Sequence, residues 1–260
     1  MNYPVANQDP WFVRDIIKVK IEDHLPMKTF ALIPGSGGMA SYWYRVVPLL
    51  KQADCEAIAV DLPGDDPNSG LSAYADLVIT AIAKHTDVIL VAQSLGAFTA
   101  ALVCARVPMK IRSLIFVNAM IPQPGETPGE WWRETAWSKA RIAAARQGGY
   151  NPEFDLATYF LHDLPKDIAD MVAAKSREES DIAFSERADF RKWPNVPIHA
   201  VVGKDDRFFP KGFQARVARE RLGIGVDVIA GGHLIALSHP RELADLLLVV
   251  GSSHHLGNFA

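Results

Sequence analysis

The sequence lacks several features that would mark a particular class of protein. Only two cysteines occur in 260 residues, which excludes a disulfide framework and predicts a cytoplasmic protein. The formal net charge of −3 gives no reason to expect nucleic acid or an anionic membrane as a partner. No apolar run reaches ~18 residues and the N-terminus lacks the segments of a secretory signal, so neither a transmembrane helix nor export is predicted. These absences favour a globular protein whose oligomeric state the sequence leaves open.

Motifs for metals are also missing, and the one motif for a cofactor is weak. The chain has no H-E-x-x-H pattern and no Cys/His cluster, so we expect no metal site and no cofactor. Residues 35–40 (GSGGMA) do fit the G-x-G-x-x-A pattern of dinucleotide-binding enzymes, and Asp61 ends the next strand, where a ribose-binding acid would lie. However, no tyrosine is followed four residues later by lysine, so the Tyr/Lys pair of short-chain dehydrogenases is absent. An NAD(P)-dependent oxidoreductase therefore remains a weaker alternative.

Short β-prone runs alternate with helical ones, which predicts an α/β fold with a mostly parallel central sheet and helices on both faces. Several strands are apolar at successive residues, as strands covered on both faces should be. The predicted strands are Ile16–Ile21, Thr29–Ile33, Ala57–Val60, Val88–Val91, Ser113–Val117, Ile198–Val202 and Val226–Ile229. The predicted helices are Trp43–Gln52 (kinked or restarted by Pro48), Ala73–His85, Leu95–Arg106, Lys211–Arg221 and Arg241–Val250.

The alternation of strands and helices breaks in the middle of the chain. We therefore predict a core of residues 1–120 and 195–260, with residues 121–194 inserted as a helical cap over the carboxyl ends of the strands. Ligands bind at that edge in open α/β sheets. The cap holds four of the six tryptophans. Trp131, Trp132 and Trp137 are candidates to line a substrate pocket, although a small aromatic core of the cap's own would give the same pattern.

The most informative segment is VILVAQSLGAF, residues 88–98. A buried strand runs into a turn that carries Ser94, and a helix follows, which is the context of a nucleophile elbow. Such a turn strains the backbone so that the serine hydroxyl stands above the sheet, and it needs small residues two positions away on either side. Gly96 meets this need, and Ala92 replaces the usual first glycine at the cost of one methyl group.

A serine nucleophile needs a base and an acid that orients the base. Among the eight histidines, His233 follows a strand and two glycines, so it lies on a loop at the same sheet edge as Ser94. His239, before Pro240, is more typical of a helix cap. The acid should come from GKDDRFFP (203–210), which follows another strand, and both Asp205 and Asp206 are possible.

A developing oxyanion needs hydrogen-bond donors, and a glycine-rich loop can supply them. The loop PGSGG (34–38) follows a strand, and its glycines let backbone N–H groups face a ligand. We expect the donors to be the N–H groups of Ser36 and Leu95, with Gly35 keeping the approach to the site open.

These motifs, in this order, resemble the α/β-hydrolase superfamily over about residues 28–250. The chain is most similar to the branch of plant methyl esterases and hydroxynitrile lyases, with Pro34 where a histidine is usual. The resemblance implies a serine hydrolase that cleaves a small carboxylic ester through an acyl-enzyme intermediate. It also implies Ser94 as nucleophile, His233 as base and Asp206 as acid, because the acid of the family usually lies three residues after the glycine that corresponds to Gly203.

Two alternatives with the same fold remain open. Some members are binding proteins that keep the three residues and hardly turn over. In the hydroxynitrile lyases of the branch that this chain resembles, a lysine follows the base histidine and a threonine lies in the first loop. This chain has Leu234 and Gly35 at those positions. Leu234 gives the pocket an apolar wall, which favours an ester substrate over cyanide expulsion.

Overall fold

The computed structural model describes residues 27–175 and 177–251. The predicted strand Ile16–Ile21 lies outside the described residues, so that prediction has no outcome here. Within the described ranges, no helix is long and apolar enough to cross a membrane.

A parallel six-stranded sheet forms the centre of the described chain, which confirms the predicted fold class. Its order is β2-β1-β3-β4-β5-β6, so the first described strand, β1, lies next to one edge and the later strands extend the sheet on both sides of it. The six strands fall within two residues of their predicted bounds. They are β1 (Thr29–Ile33), β2 (Glu56–Ala59), β3 (Val88–Gln93), β4 (Ile111–Val117), β5 (Ile198–Gly203) and β6 (Asp227–Ile229).

Helices connect the strands and form the insertion. The predicted helix Trp43–Gln52 is split into a 3₁₀ turn, Ala40–Trp43, and a helix that restarts with Pro48 in its first turn, because proline fits a helix start but not its interior. The predicted helix Ala73–His85 ends earlier, because the chain leaves helical geometry at Ile82. The helices are α1 (Val47–Gln52), α2 (Leu71–Ala81), α3 (Gly96–Arg106), α4 (Pro128–Glu134), α5 (Trp137–Gly148), α6 (Lys166–Lys175), α7 (Asp181–Ser185), α8 (Lys211–Leu222), α9 (Ile235–Ser238) and α10 (Pro240–Val250).

Apolar layers cover both faces of the sheet. In β3 every residue is buried: Val88 and Leu90 point to one layer, and Ile89 and Val91 point to the other. The first layer is formed with α2, α3 and α8, and the second with α1 and α10. Burial on both faces is why β3 is a continuous apolar run, and it fixes the end of this strand in the centre of the molecule.

The helical insertion (residues 121–194) leaves the sheet after β4 and carries α4 to α7. A buried ion pair anchors its first turn, since Arg221 of α8 contacts Glu126 with both side chains only 6% exposed. Arg221 also donates a hydrogen bond to the carbonyl of Ile121 at 2.7 Å, and Glu126 accepts one from the N–H of Gln123 at 3.0 Å. These contacts tie the beginning of the insertion to a helix of the core.

We predict that Arg221→Met lowers the free energy of unfolding by ~3–5 kcal/mol, because it leaves the buried Glu126 carboxylate without a partner. Urea unfolding followed by circular dichroism would measure the change. The matched control is the double variant Arg221→Met/Glu126→Gln, which removes both charges and should recover a large part of the loss. Equal losses in the single and double variants would contradict the role of the unpaired charge.

Candidate active site

Ser94 occupies a strained turn between β3 and α3. Its φ of 49° lies in the left-handed region, which residues with a side chain rarely adopt, and strain of this kind clusters at functional sites. The following helix starts so close to β1 that a Cβ on Gly96 would come within 2.4 Å of the carbonyl oxygen of Pro34. The turn therefore requires glycine at position 96, while the methyl group of Ala92 is accommodated in the buried strand.

The structure brings Ser94, His233 and Asp206 together in one hydrogen-bonded series. His233 Nε2 lies 3.2 Å from Ser94 Oγ, and His233 Nδ1 lies 2.9 Å from Asp206 Oδ2. A carboxylate can only accept, so Nδ1 carries the proton toward Asp206 and Nε2 is left to accept the serine hydroxyl. The exposed fractions of the three residues are 7%, 1% and 4%, so the series is shielded from bulk water.

The turn after β5 distinguishes the two neighbouring aspartates. The side chain of Asp205 is exposed, whereas Asp206 is buried against His233. Two backbone N–H groups, those of Phe208 and Phe209, donate to Asp206 Oδ1 at 2.8 Å each. Gln214 adds a third donor at 3.2 Å. The Asp206 carboxylate is thus fixed in place by several donors, as a buried charge requires.

Asn118, which the sequence analysis did not single out, connects the two loops that carry the acid and the base. It is fully buried, with a φ of 44°. Its amide nitrogen donates to the carbonyls of Gly232 and His233 at 3.0 and 3.1 Å, and its side-chain oxygen accepts from the N–H of Gly203 at 2.8 Å. A polar residue directly after a buried strand, at the carboxyl edge of the sheet, was the signal that could have identified it.

The two residues predicted to supply oxyanion donors, Ser36 and Leu95, lie at the cavity that contains Ser94. Within the described residues, the N–H groups of Ser36 and Leu95 have no hydrogen-bond partner, and both residues line the same cavity as Ser94. Gly35 lies tightly against the elbow, because a Cβ there would come within 2.3 Å of Gln93 Oε1 and 2.8 Å of Ser94 Cβ. Two unused donors beside a serine hydroxyl can stabilise a negative oxygen.

The rest of the glycine loop is occupied by carboxylates of the chain itself. Glu179 accepts from the N–H of Gly37 at 2.7 Å, and Asp61 accepts from the N–H of Ala40 at 2.9 Å while also pairing with Arg177. A dinucleotide would need these donors for its phosphates and Asp61 for its ribose. The geometry therefore gives the oxidoreductase alternative no support. In the described ranges, no cluster of His, Cys, Asp or Glu is arranged to hold a metal ion.

Two cavities of unequal size lie near the serine. The smaller cavity, about 180 Å³, contains Ser94 and His233 among mostly apolar neighbours. The larger one, about 460 Å³, extends past the glycine loop toward α6. Both cavities are lined by Ser36, Gln93, Phe160 and Leu234, so these four residues mark the junction between them.

The three predicted tryptophans have three different positions. Trp132 lines the smaller cavity. Trp131 lines neither cavity, which corrects its prediction as a substrate-binding residue: it is fully buried against Phe209 and Phe213, and its indole N–H donates to the carbonyl of Ile121. Trp137 also lines neither of them, because it faces a separate surface groove and donates to the carbonyl of Phe208 at 2.7 Å.

Aromatic residues that the sequence analysis did not assign surround the imidazole. The rings of Phe160 and Phe208 pack edge-on to His233, with centroids 4.9 and 5.1 Å away. Phe208 follows Asp206 by two residues, so its proximity could have been inferred from the turn. Phe160 lies in a π-helix, Ala157–Leu161, whose position depends on how the insertion packs.

Burial raises the pKa of Glu179, the carboxylate that holds the glycine loop. Its side chain also accepts a hydrogen bond from the hydroxyl of Tyr74 at 2.6 Å. We predict that the free energy of unfolding falls as pH rises from the ordinary value of 4.5 through the raised pKa of Glu179. The sign follows because the folded state holds this proton more tightly than the unfolded state, so the favourable contribution is lost when the group ionises.

Urea unfolding of the wild type and of Glu179→Gln between about pH 4 and 7 would measure this contribution. Glutamine has the same shape and does not ionise, so the variant should lose this part of the pH dependence. A difference between the two proteins that stays constant across the whole range would contradict the prediction.

The comparisons with known proteins agree with this architecture. A model of the alpha/beta hydrolase family matches residues 30–246. Esterase PIR7B of Oryza sativa subsp. japonica is 26% identical over 259 residues, covering 87% of this chain and 97% of its own length. The alpha-hydroxynitrile lyase of Arabidopsis thaliana is 23% identical over 252 residues, covering 86% and 97%. The crystal structure of polyneuridine aldehyde esterase superimposes with a TM-score of 0.72 at 22% identity, covering 86% of this chain and 99% of that one.

Proposed function

This chain belongs to the alpha/beta hydrolase family, and from that premise we propose that it is a serine hydrolase that cleaves a small carboxylic ester through an acyl-enzyme intermediate. The observation that carries the proposal is the buried series of hydrogen bonds from Ser94 through His233 to Asp206. The relatives named as esterases support it at the level of the reaction class.

The proposed mechanism gives each group a defined task. Ser94 Oγ attacks the ester carbonyl while its proton passes to His233 Nε2, and the Asp206 carboxylate stabilises the imidazolium that forms. The carbonyl oxygen becomes negative and takes hydrogen bonds from the N–H groups of Ser36 and Leu95. His233 then gives the proton to the leaving alkoxide. In the second half of the reaction, His233 takes a proton from a water molecule, which attacks the acyl carbonyl. His233 then returns the proton to Ser94 Oγ as the acid product leaves.

We further propose that the alcohol part of the ester occupies the smaller cavity and the acyl part the larger one. His233 lines the smaller cavity and not the larger, and the leaving oxygen must come close to His233 Nε2 to be protonated. The acyl group then extends past Gly35 into about 460 Å³, where the lining is mostly apolar. This division favours esters of a small alcohol with a larger acid.

Cyanohydrin cleavage is the competing reaction, since one relative is named a hydroxynitrile lyase. The residue after His233 is Leu234, which lines both cavities and brings no positive charge to a leaving cyanide. Developing charge in a water-poor site needs a matched partner, so cyanide expulsion should be slow. Assays of mandelonitrile and short-chain esters, run side by side, separate the two reactions. Faster mandelonitrile cleavage would overturn the esterase proposal, and no turnover of either would favour a binding protein.

We predict that Ser94→Ala lowers ester turnover ~10³-fold or more, because the nucleophile is lost while the fold is kept. Stopped assays with a short-chain chromogenic ester would measure the rate, with circular dichroism as the control for folding. A fluorophosphonate or sulfonyl fluoride should add one label to the wild type, located on Ser94 by mass spectrometry. Full activity in the variant, or a label on another residue, would contradict the assignment.

The two adjacent aspartates provide a matched pair of variants. We predict that Asp206→Asn lowers turnover ~10²-fold or more, because an amide can hold His233 in the wrong tautomer. Asp205→Asn should stay within ~3-fold of the wild type, since that side chain is exposed. Steady-state kinetics of both variants with one ester would test the ranking. The opposite order would identify Asp205 as the acid.

A further inference from the structure

Gln93, the residue before the serine, lies beside the reacting atoms and has no part in the mechanism given so far. It is the last residue of β3 and is only 3% exposed. Its amide nitrogen lies 3.3 Å from His233 Nε2, the same atom that faces Ser94 Oγ at 3.2 Å. Its side-chain oxygen lies against Gly35, and its amide nitrogen is directed at the imidazole.

The position of this amide coincides with the path of the leaving group. Gln93 lines both cavities, so it lies where an ester would pass from one to the other. The leaving oxygen must approach His233 Nε2 within hydrogen-bond distance, and an approach from the side of Gln93 brings it within reach of a donor 3.3 Å from that nitrogen. An amide N–H donates without transferring its proton, so it can stabilise negative charge there at any pH near neutrality.

We propose that Gln93 is a catalytic residue that donates a hydrogen bond to the leaving alkoxide. The inference rests on the proposed ester hydrolysis and adds a third donor to it. In the free protein the Gln93 amide N–H donates to His233 Nε2. As the bond between the carbonyl carbon and the alcohol oxygen breaks, its electron pair goes to the oxygen. Gln93 stabilises that charge until His233 delivers the proton taken from Ser94.

The test uses alcohols that differ in basicity and hardly in size. Ethyl, 2-fluoroethyl, 2,2-difluoroethyl and 2,2,2-trifluoroethyl butyrates share one acyl group, and their kcat/KM values report the acylation step in which the alcohol leaves. In Gln93→Met the donor is lost with little change in shape. We expect kcat/KM to fall ~10-fold or more for the ethyl ester and no more than ~3-fold for the trifluoroethyl ester, because the more basic alkoxide carries more charge.

Further variants separate a catalytic role from a structural one. Gln93→Glu keeps the shape of the side chain, and its ionised form cannot donate. Its kcat/KM should therefore depend more steeply on alcohol basicity than that of the wild type, as in Gln93→Met. This variant also covers the case in which Gln93→Met does not fold. Gln52→Met makes the same chemical change on the exposed surface of α1 and should leave all four values unchanged.

Each outcome of the series decides the proposal. An equal loss for all four esters in both Gln93 variants would mean that Gln93 only positions His233, and it would overturn this inference while leaving the proposed hydrolase intact. Values equal to those of the wild type would overturn it as well. A wild type that cleaves none of the four esters would overturn the proposed hydrolysis of small esters, and this inference with it.

Discussion

The parallel register of the three central strands is the constraint on which the site depends. Gln93 at the end of β3 is paired with Val117 at the end of β4, and Val117 is paired with Val201 in β5. The ladder continues beyond the strands, since the N–H of Ser94 donates to the carbonyl of Val117 and the N–H of Asn118 to that of Val201. The loops that follow β3, β4 and β5 therefore begin side by side at one edge of the sheet. A shift of one residue in the register of any two neighbouring strands would separate these loops.

Buried polar groups at this edge are stable because they satisfy one another. Asp206 has three donors besides His233, and Asn118 uses both ends of its amide. Leaving any of these groups unpaired in the interior would cost ~1–3 kcal/mol, so the network favours one arrangement of the loops. Among the described residues, the N–H groups of Ser36, which is exposed, and of Leu95 have no partner, and in the proposed mechanism they donate to the substrate.

The sequence was sufficient for the features that depend on local patterns. Apolar runs predicted the strands, and residues directly after strands indicated Ser94 and His233, whose side chains the structure brings within hydrogen-bond distance. The residues alone left both Asp205 and Asp206 open, because both follow the same strand, and the choice of Asp206 rested on the spacing in the resembling family. The geometry of the turn adds that Asp206 is buried against His233 while Asp205 is exposed. Trp131 was misplaced because a tryptophan in a core and one in a pocket have the same sequence environment. Phe160 could not be assigned, since its position depends on long-range packing of the insertion.

The contacts between the helical insertion and the glycine loop limit how the two can evolve. Glu179 holds the N–H of Gly37, and Ser180 bonds to the carbonyls of Gly64 and Ser69, so one short segment fixes three turns of the core. The insertion is thus not an interchangeable module. An insertion that lacked the contacts of Glu179 and Ser180 would leave the loop that carries Ser36 without this support. New substrate ranges are accordingly more accessible through exchanges of single side chains inside the cavities than through recombination of whole segments.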